Sequence, residues 1–196
     1  RTGAAYVFAR SDTQWAEEQK LTGNSAYGQF GGAVRISADG RYALVGALFD
    51  GGDRMSPIGA GAVYVYTRED TAWRFAQRLG DPGGETQDHF GAALAMSADA
   101  SVIVVGAPGV DGPRRPRVRE AGAVHVFLRN GGSFTAHTVL HASDMGIDDG
   151  FGSAVAIDGA GTSIAVGVPR HDDDRGRRTQ ENGAVFIYTR TEGVWA

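Results

Sequence analysis

The sequence contains no cysteine. Its absence excludes a disulfide framework and any thiolate chemistry, without fixing the compartment in which the protein works. No apolar run approaches the length needed to cross a bilayer, and the longest, Val102 to Ala107, is strand-sized. There is no excess of positive charge. The formal net charge is −4, which argues against a protein whose affinity comes from neutralising phosphates. No segment places apolar residues at three-to-four spacing over ten or more positions, so a helical solenoid is excluded. No basic-then-apolar leader opens the chain at Arg1, which predicts a mature form or an excised piece.

What is present is ordinary in bulk and unusual in order. Hydrophobic residues make up 42% and charged residues 21% of 196 positions, the balance of a folded domain able to bury a core. The 30 glycines are in excess, and they are periodic. Four segments read alike, opening at Gly3-Ala-Ala-Tyr6, Gly61-Ala-Val-Tyr64, Gly122-Ala-Val-His125 and Gly183-Ala-Val-Phe186, with starts 58, 61 and 61 positions apart. Twelve residues after each glycine stands an aromatic: Trp15, Trp73, Phe134 and Trp195. A second set interleaves with the first. Phe30-Gly31, Phe90-Gly91 and Phe151-Gly152 each lead, sixteen residues on from the phenylalanine, to Gly46, Gly106 and Gly167, which open Gly-Ala-Leu, Gly-Ala-Pro and Gly-Val-Pro. Coincidence at this many positions identifies a repeat.

Each unit carries four short strand-like runs. In the unit from Phe90 these are Phe90–Ser97, Val102–Ala107, Ala123–Arg129 and about Phe134–Leu140. The first alternates bulky with small residues, and the second is apolar on both faces, as in an interior strand covered on each side. The fourth is more polar and suits an outer edge. Four strands per unit with both sheet faces covered predict an all-β fold of antiparallel β-propeller blades. The expected division is a partial blade over 1–27, blades over 28–87 and 88–148, and a partial blade over 149–196. About three blades' worth of chain falls below a closed ring of four to eight. Further blades, from the same parent polypeptide or from other copies, are therefore expected to cover the ends.

The pattern Phe-Gly … Gly-Ala-Pro … Gly-Ala-Val-Tyr-Val-Phe … Trp resembles the FG-GAP repeats of the integrin α-subunit head and of related bacterial secreted proteins. The resemblance covers essentially the whole chain. It implies a seven-bladed ring, a secreted or cell-surface location, and adhesion or protein contact rather than catalysis. Many blades of that family hold calcium between their first and second strands, on aspartates at alternate positions. The turns here, Ser37-Ala-Asp39-Gly-Arg41, Ser97-Ala-Asp99-Ala-Ser101 and Asp158-Gly-Ala-Gly-Thr162, offer one acidic residue each, too few for the six to eight oxygens calcium takes. They read as turns, with neither metal nor other cofactor expected.

Candidate ligand-binding residues lie in the segments joining second to third strands, which a propeller presents on one face. Arg114, Arg115, Arg117 and Arg119 fall in one; His171, Asp172, Asp173, Asp174, Arg175, Arg177 and Arg178 fall in the next. Two readings stand for them: a charged surface contacting a protein or glycan, or solvated loops whose charges pair locally. Asp148 and Asp149 read as turn residues, and His125, where sister units have Tyr64 or Phe186, as a packing residue. No nucleophile elbow, phosphate loop or metal-ligand histidine spacing is present, so no catalytic residue is assigned. The leading expectation is a non-catalytic adhesion or scaffold module. A glycan-binding lectin is the alternative, with Tyr27 and Phe49 as the exposed aromatics that would serve it, and an enzyme with a loop-borne site stands behind both.

Overall fold

A computed structural model describes residues 2–25, 27–52, 59–113, 117–171 and 182–196. Of the candidate residues, Arg114, Arg115, Asp172, Asp173, Asp174, Arg175, Arg177 and Arg178 lie outside these.

The described residues form strands joined by turns, and every pairing between strands is antiparallel. β1 (Ala5–Ser11) and β2 (Gln14–Leu21) make a two-stranded sheet. Three four-stranded meanders follow. β3 (Phe30–Ile36), β4 (Tyr42–Ala47), β5 (Ala62–Glu69) and β6 (Ala72–Leu79) pair in chain order. So do β7 (Ala93–Met96), β8 (Val102–Ala107), β9 (Ala123–Asn130) and β10 (Ser133–Leu140). The last is β11 (Ala154–Ile157), β12 (Ser163–Val168), β13 (Ala184–Thr191) and β14 (Val194–Trp195). These are propeller blades.

Two details depart from expectation. The first run is a shorter strand in the last two blades, Ala93–Met96 and Ala154–Ile157, whereas in the first full blade it starts at Phe30 and shifts register before Val34. Phe30, Phe90 and Phe151 each bridge in parallel to Gly3, Gly61 and Gly122 of the preceding sheet. Their backbone N–H groups donate to Thr2, Ala60 and Ala121 at 3.1, 2.9 and 2.9 Å. Gly122 sits at φ 88°, and a Cβ there would strike the Phe151 carbonyl, so the crossing accepts only glycine. The outer strand of the last blade, which was expected to be partial, is begun: Val194–Trp195 pairs with β13, and Trp195 is buried.

Alternation along the strands divides the core between blades. Ala43, Val45, Ala47, Tyr64 and Tyr66 of the first full blade face the two-stranded sheet, where they meet Ala5, Val7 and Leu21. Leu44, Val63 and Val65 point the other way, onto Phe90, Leu94, Ile103 and Val105. The next blade repeats this, sending Val102, Val104, Val124 and Val126 against Phe151, Ile164 and Val166. Each phenylalanine is buried and receives two rings from the third strand of its own blade. Phe30 meets Tyr64 and Tyr66 at 5.3 and 6.4 Å, Phe90 meets His125 and Phe127 at 5.0 and 6.1 Å, and Phe151 meets Phe186 and Tyr188 at 5.8 and 6.1 Å, all edge to face.

The outer strands are tied by a clasp that also repeats. The Gln19 amide takes the Trp73 N–H at 2.7 Å and donates to the Trp73 carbonyl at 2.9 Å. Gln77 does the same to Phe134, with both bonds at 2.8 Å. The glutamine thus completes one outer strand with the next blade's backbone.

Candidate functional site

The loops joining second to third strands meet the loops joining successive blades. Gln87 N–H donates to Gly59 O at 3.3 Å, Gly109 N–H to Asp88 O at 3.1 Å, and Asp148 N–H to Arg119 O at 2.9 Å. The described candidates are spent within this layer. Arg117 pairs with Glu85 at 2.7 Å and Arg119 with Asp148 at 2.8 Å, each guanidinium largely in solvent. Exposed pairs of this kind contribute about 0–1 kcal/mol. His171 is buried instead. Its Nδ1 lies 3.3 Å from Asp149 Oδ2, its Nε2 3.5 Å from Asp144 Oδ2, and its ring sits edge-on to Phe186 at 5.6 Å. Asp149 also closes its own turn, accepting the Gly146 N–H at 2.6 Å, which is the turn role its place before Phe151 suggested. Tyr27 is exposed, whereas the Phe49 ring packs against His89 at 5.4 Å.

His171 belongs to a set of equivalent positions that the sequence did not expose. Asp50, Val110 and His171 each stand four residues after the glycine of the Gly-Ala-Pro element. In the first full blade, buried Asp50 accepts hydrogen bonds from the Tyr64 hydroxyl at 3.2 Å and from Arg78 Nε at 2.8 Å. Burial and the Asp50 charge hold the Tyr64 hydroxyl above the usual phenol range. In the last blade the same space is filled by His171 with Asp149. In the middle blade Val110 replaces Asp50, His125 replaces Tyr64 and Val139 replaces Arg78. Beside them lies a cavity of about 310 Å³, walled by Val110, Val139, Pro113 and His125 and rimmed by carboxylates. His125 is buried, and its Nε2 has no hydrogen-bond partner among the described residues, with Asp81 Oδ2 the near charge at 3.9 Å. The signal was a strand position carrying histidine where its sisters carry phenol and phenyl rings; its polar consequence depended on two partners far along the chain.

Burial lowers the pKa of His125, and likewise those of His89 and His141. A histidine held neutral in the fold but free to protonate when unfolded destabilises the fold as pH falls below about 6.5. Stability is therefore expected to decline between about pH 7 and pH 5. His125→Phe, which installs the ring of the sister Phe186, should flatten that decline in thermal melts. Parallel pH profiles for the two proteins would refute this.

The first-to-second-strand turns satisfy themselves. Asp39 accepts from Ser37 Oγ at 2.6 Å and from Arg41 N–H at 3.0 Å, and Asp158 from Thr162 N–H at 2.6 Å, Thr162 Oγ1 at 2.7 Å and Ser163 N–H at 3.0 Å. These bonds hold the carboxyls of Asp39 and Asp158 below their ordinary range. One carboxylate per turn, already committed to its own backbone, does not fit a calcium ion. Among the described residues no group of three histidines or carboxylates is arranged to hold a metal.

The repeat seen in sequence and in blades is matched by a family model, that of the FG-GAP repeat, over residues 15–66, 73–127 and 134–188. The chain belongs to the FG-GAP repeat family. Each matched FG-GAP segment starts at an outer-strand aromatic, Trp15, Trp73 or Phe134, and runs into the third strand of the following blade. No curated protein matches the chain in sequence. Among solved structures, it superimposes on a protein named as a 6-phosphogluconolactonase from Bacteroides uniformis, with a TM-score of 0.65 and 13% identity over 100% of this chain and 47% of that one. A protein of the same name from Bacteroides fragilis gives 0.53 and 14% identity over 84% and 36%. The chain spans less than half the length of either. At these identities the likeness concerns the fold of the FG-GAP blades alone.

Proposed function

We propose that these FG-GAP blades form a non-catalytic scaffold of a secreted or surface protein, working in adhesion through contacts with other proteins. One observation carries the reading: the outermost sheet faces are apolar and uncovered. Val185 and Ile187 are 67% and 62% exposed, where the equivalent Val124 and Val126 are fully buried by the next blade. At the opposite end Tyr6 and Phe8 are 49% and 51% exposed, where the equivalent Tyr64 and Tyr66 are buried. Apolar faces of this kind mark contact surfaces, and further propeller blades have the complementary shape. A seven-bladed ring of the integrin type would place the loops carrying Arg117, Arg119 and His171 together on one face, available to a protein or glycan ligand.

Two measurements test the proposal. Fractionation of cells that produce the protein naturally should place it outside the cytoplasmic membrane; a cytosolic pool would contradict the location. Purified protein should leave 6-phosphogluconolactone to hydrolyse at its uncatalysed rate, and turnover that a loop substitution abolishes would replace the scaffold by an enzyme. Glycan binding is favoured by no observation at Tyr27 or Phe49.

A further inference from the structure

We propose that Asn130 is a site of spontaneous self-modification, converting with water to aspartate and isoaspartate through a ring closed by Gly131. The sequence holds three asparagines, and they differ in the freedom of the nitrogen that follows. Asn130 ends β9 and enters the two-residue turn Gly131-Gly132 that leads into β10. It is exposed; its backbone carbonyl accepts from Ser133 Oγ at 3.3 Å, while its side-chain amide bonds to none of the described residues. The Gly131 N–H is likewise uncommitted among the described residues. The surroundings are open, since a Cβ at Gly131 or Gly132 would meet nothing within 4 Å. An amide carbon and a bare backbone nitrogen thus stand together with nothing holding them apart.

No sister turn repeats the combination. Asp12, Asp70 and Glu192 replace Gly131 at φ 53, 55 and 51°, each with a Cβ beside the nitrogen, and Ser11, Glu69 and Thr191 replace Asn130. Asn182-Gly183 repeats the dipeptide with its nitrogen engaged, the Gly183 N–H donating to the His171 carbonyl at 3.2 Å. Asn24 precedes Ser25, which also carries a Cβ. Asp39-Gly40 offers a poorer electrophile, because Ser37 and Arg41 hold its carboxyl ionised, and the Gly40 N–H is bonded to Ser37 O at 3.0 Å.

The step balances with water alone. The Gly131 nitrogen attacks the Asn130 side-chain carbonyl carbon, and the amide NH2 leaves as ammonia with the proton that the nitrogen gives up. Water then opens the succinimide. Cleavage at the side-chain carbonyl gives aspartate; cleavage at the backbone carbonyl gives isoaspartate, whose main chain is one methylene longer. Both products add a negative charge. The extra methylene falls where Asn130 pairs with Ser133. The next residue, Phe134, has its ring edge-on to Tyr42 at 5.9 Å and its backbone clasped by Gln77 of the preceding blade. Isoaspartate at 130 therefore loosens the seam between two blades.

Peptide mapping by mass spectrometry, after incubation of the whole protein at mildly alkaline pH, tests the site. Conversion at Asn130 is expected to run at least about tenfold faster than at Asn182, a barrier difference of about 1.4 kcal/mol. Fragmentation should find both aspartate and isoaspartate. Unfolding in denaturant should bring the two asparagines to similar rates, because it frees the Gly183 N–H. Gly131→Asp copies Asp70 and should slow conversion about tenfold, and Asn130→Thr copies Thr191 and should abolish it. Both use side chains that the fold already holds at equivalent turns. Converted protein should melt below Asn130→Asp, which carries the charge without the methylene. Equal rates at Asn130 and Asn182 in the folded protein would overturn the proposal. So would unchanged conversion in folded Gly131→Asp, or aspartate formed without isoaspartate. Melting equal to that of Asn130→Asp would overturn the loosened seam.

Discussion

Replacement of Phe90 by alanine is expected to cost about 3–5 kcal/mol. The ring is fully buried between two blades, with Leu44, Val63 and Val65 on one side and the rings of His125 and Phe127 on the other. Its backbone fastens the same junction, because Phe90 N–H bonds across to Ala60 O. The blades are held apart at a fixed distance by that bridge and by the sheet backbones, so the void left by the ring cannot close by a simple shift. Leu94 and Met96 line the site and are the residues able to lean inward, which sets the lower end of the range. Denaturant unfolding of Phe90→Ala and Phe151→Ala measures the cost. Values under about 1 kcal/mol would show that these rings are not the inter-blade keystones that their burial indicates.

Addition of one methyl group at Gly106 is expected to be nearly as damaging, at about 1–3 kcal/mol or more. The glycine has no left-handed backbone to defend; its problem is space. A Cβ at Gly106 would lie inside the contact radius of the Gly152 carbonyl oxygen, which belongs to the Phe-Gly pair of the next blade. A backbone atom cannot swing aside as a long side chain can, so the two sheets would have to part and loosen the Val104, Val124, Val126 and Phe151 packing between them. Gly46 stands in the same relation to Gly91. Gly167 does not, since its nearest neighbour is the Ala154 side chain of its own blade. Gly106→Ala should therefore lower the melting temperature substantially, while Gly167→Ala should change it little. Equal effects at the two positions would mean that the pairing of Gly-Ala-Pro with Phe-Gly does not set the blade spacing.

The sequence made the blades legible because the features that build them are local and repeated. Phenylalanine before glycine, apolar runs of six and polar outer runs recur at fixed intervals, and each reports its own burial. What escaped was contact between repeats. The bridge between Phe90 and Gly61 joins residues whose partnership no periodicity reveals. The clasps of Gln19 and Gln77 looked like ordinary polar outer-strand positions. The candidate loops fared differently: Arg117 and Arg119 stand out in sequence as charge, and fold into exposed pairs with Glu85 and Asp148. The cavity beside His125 was invisible because it is a deficit, lying where Val139 is shorter than Arg78 and His125 smaller than Tyr64, and a deficit shows only when sister sites are compared in space.

The central claim is that each blade is built to be covered on both faces, and that the two outermost faces of residues 1–196 are left to be covered by further blades. Sedimentation velocity across a concentration series tests it directly, comparing the protein with a Val185→Asp, Ile187→Asp double variant. Both substituted side chains are exposed, so the variant should fold and melt as the parent does. The parent is expected to associate as concentration rises, and the variant to lose that association. A parent that sediments as a monomer at every concentration, or a variant that associates as strongly as the parent, would contradict the claim.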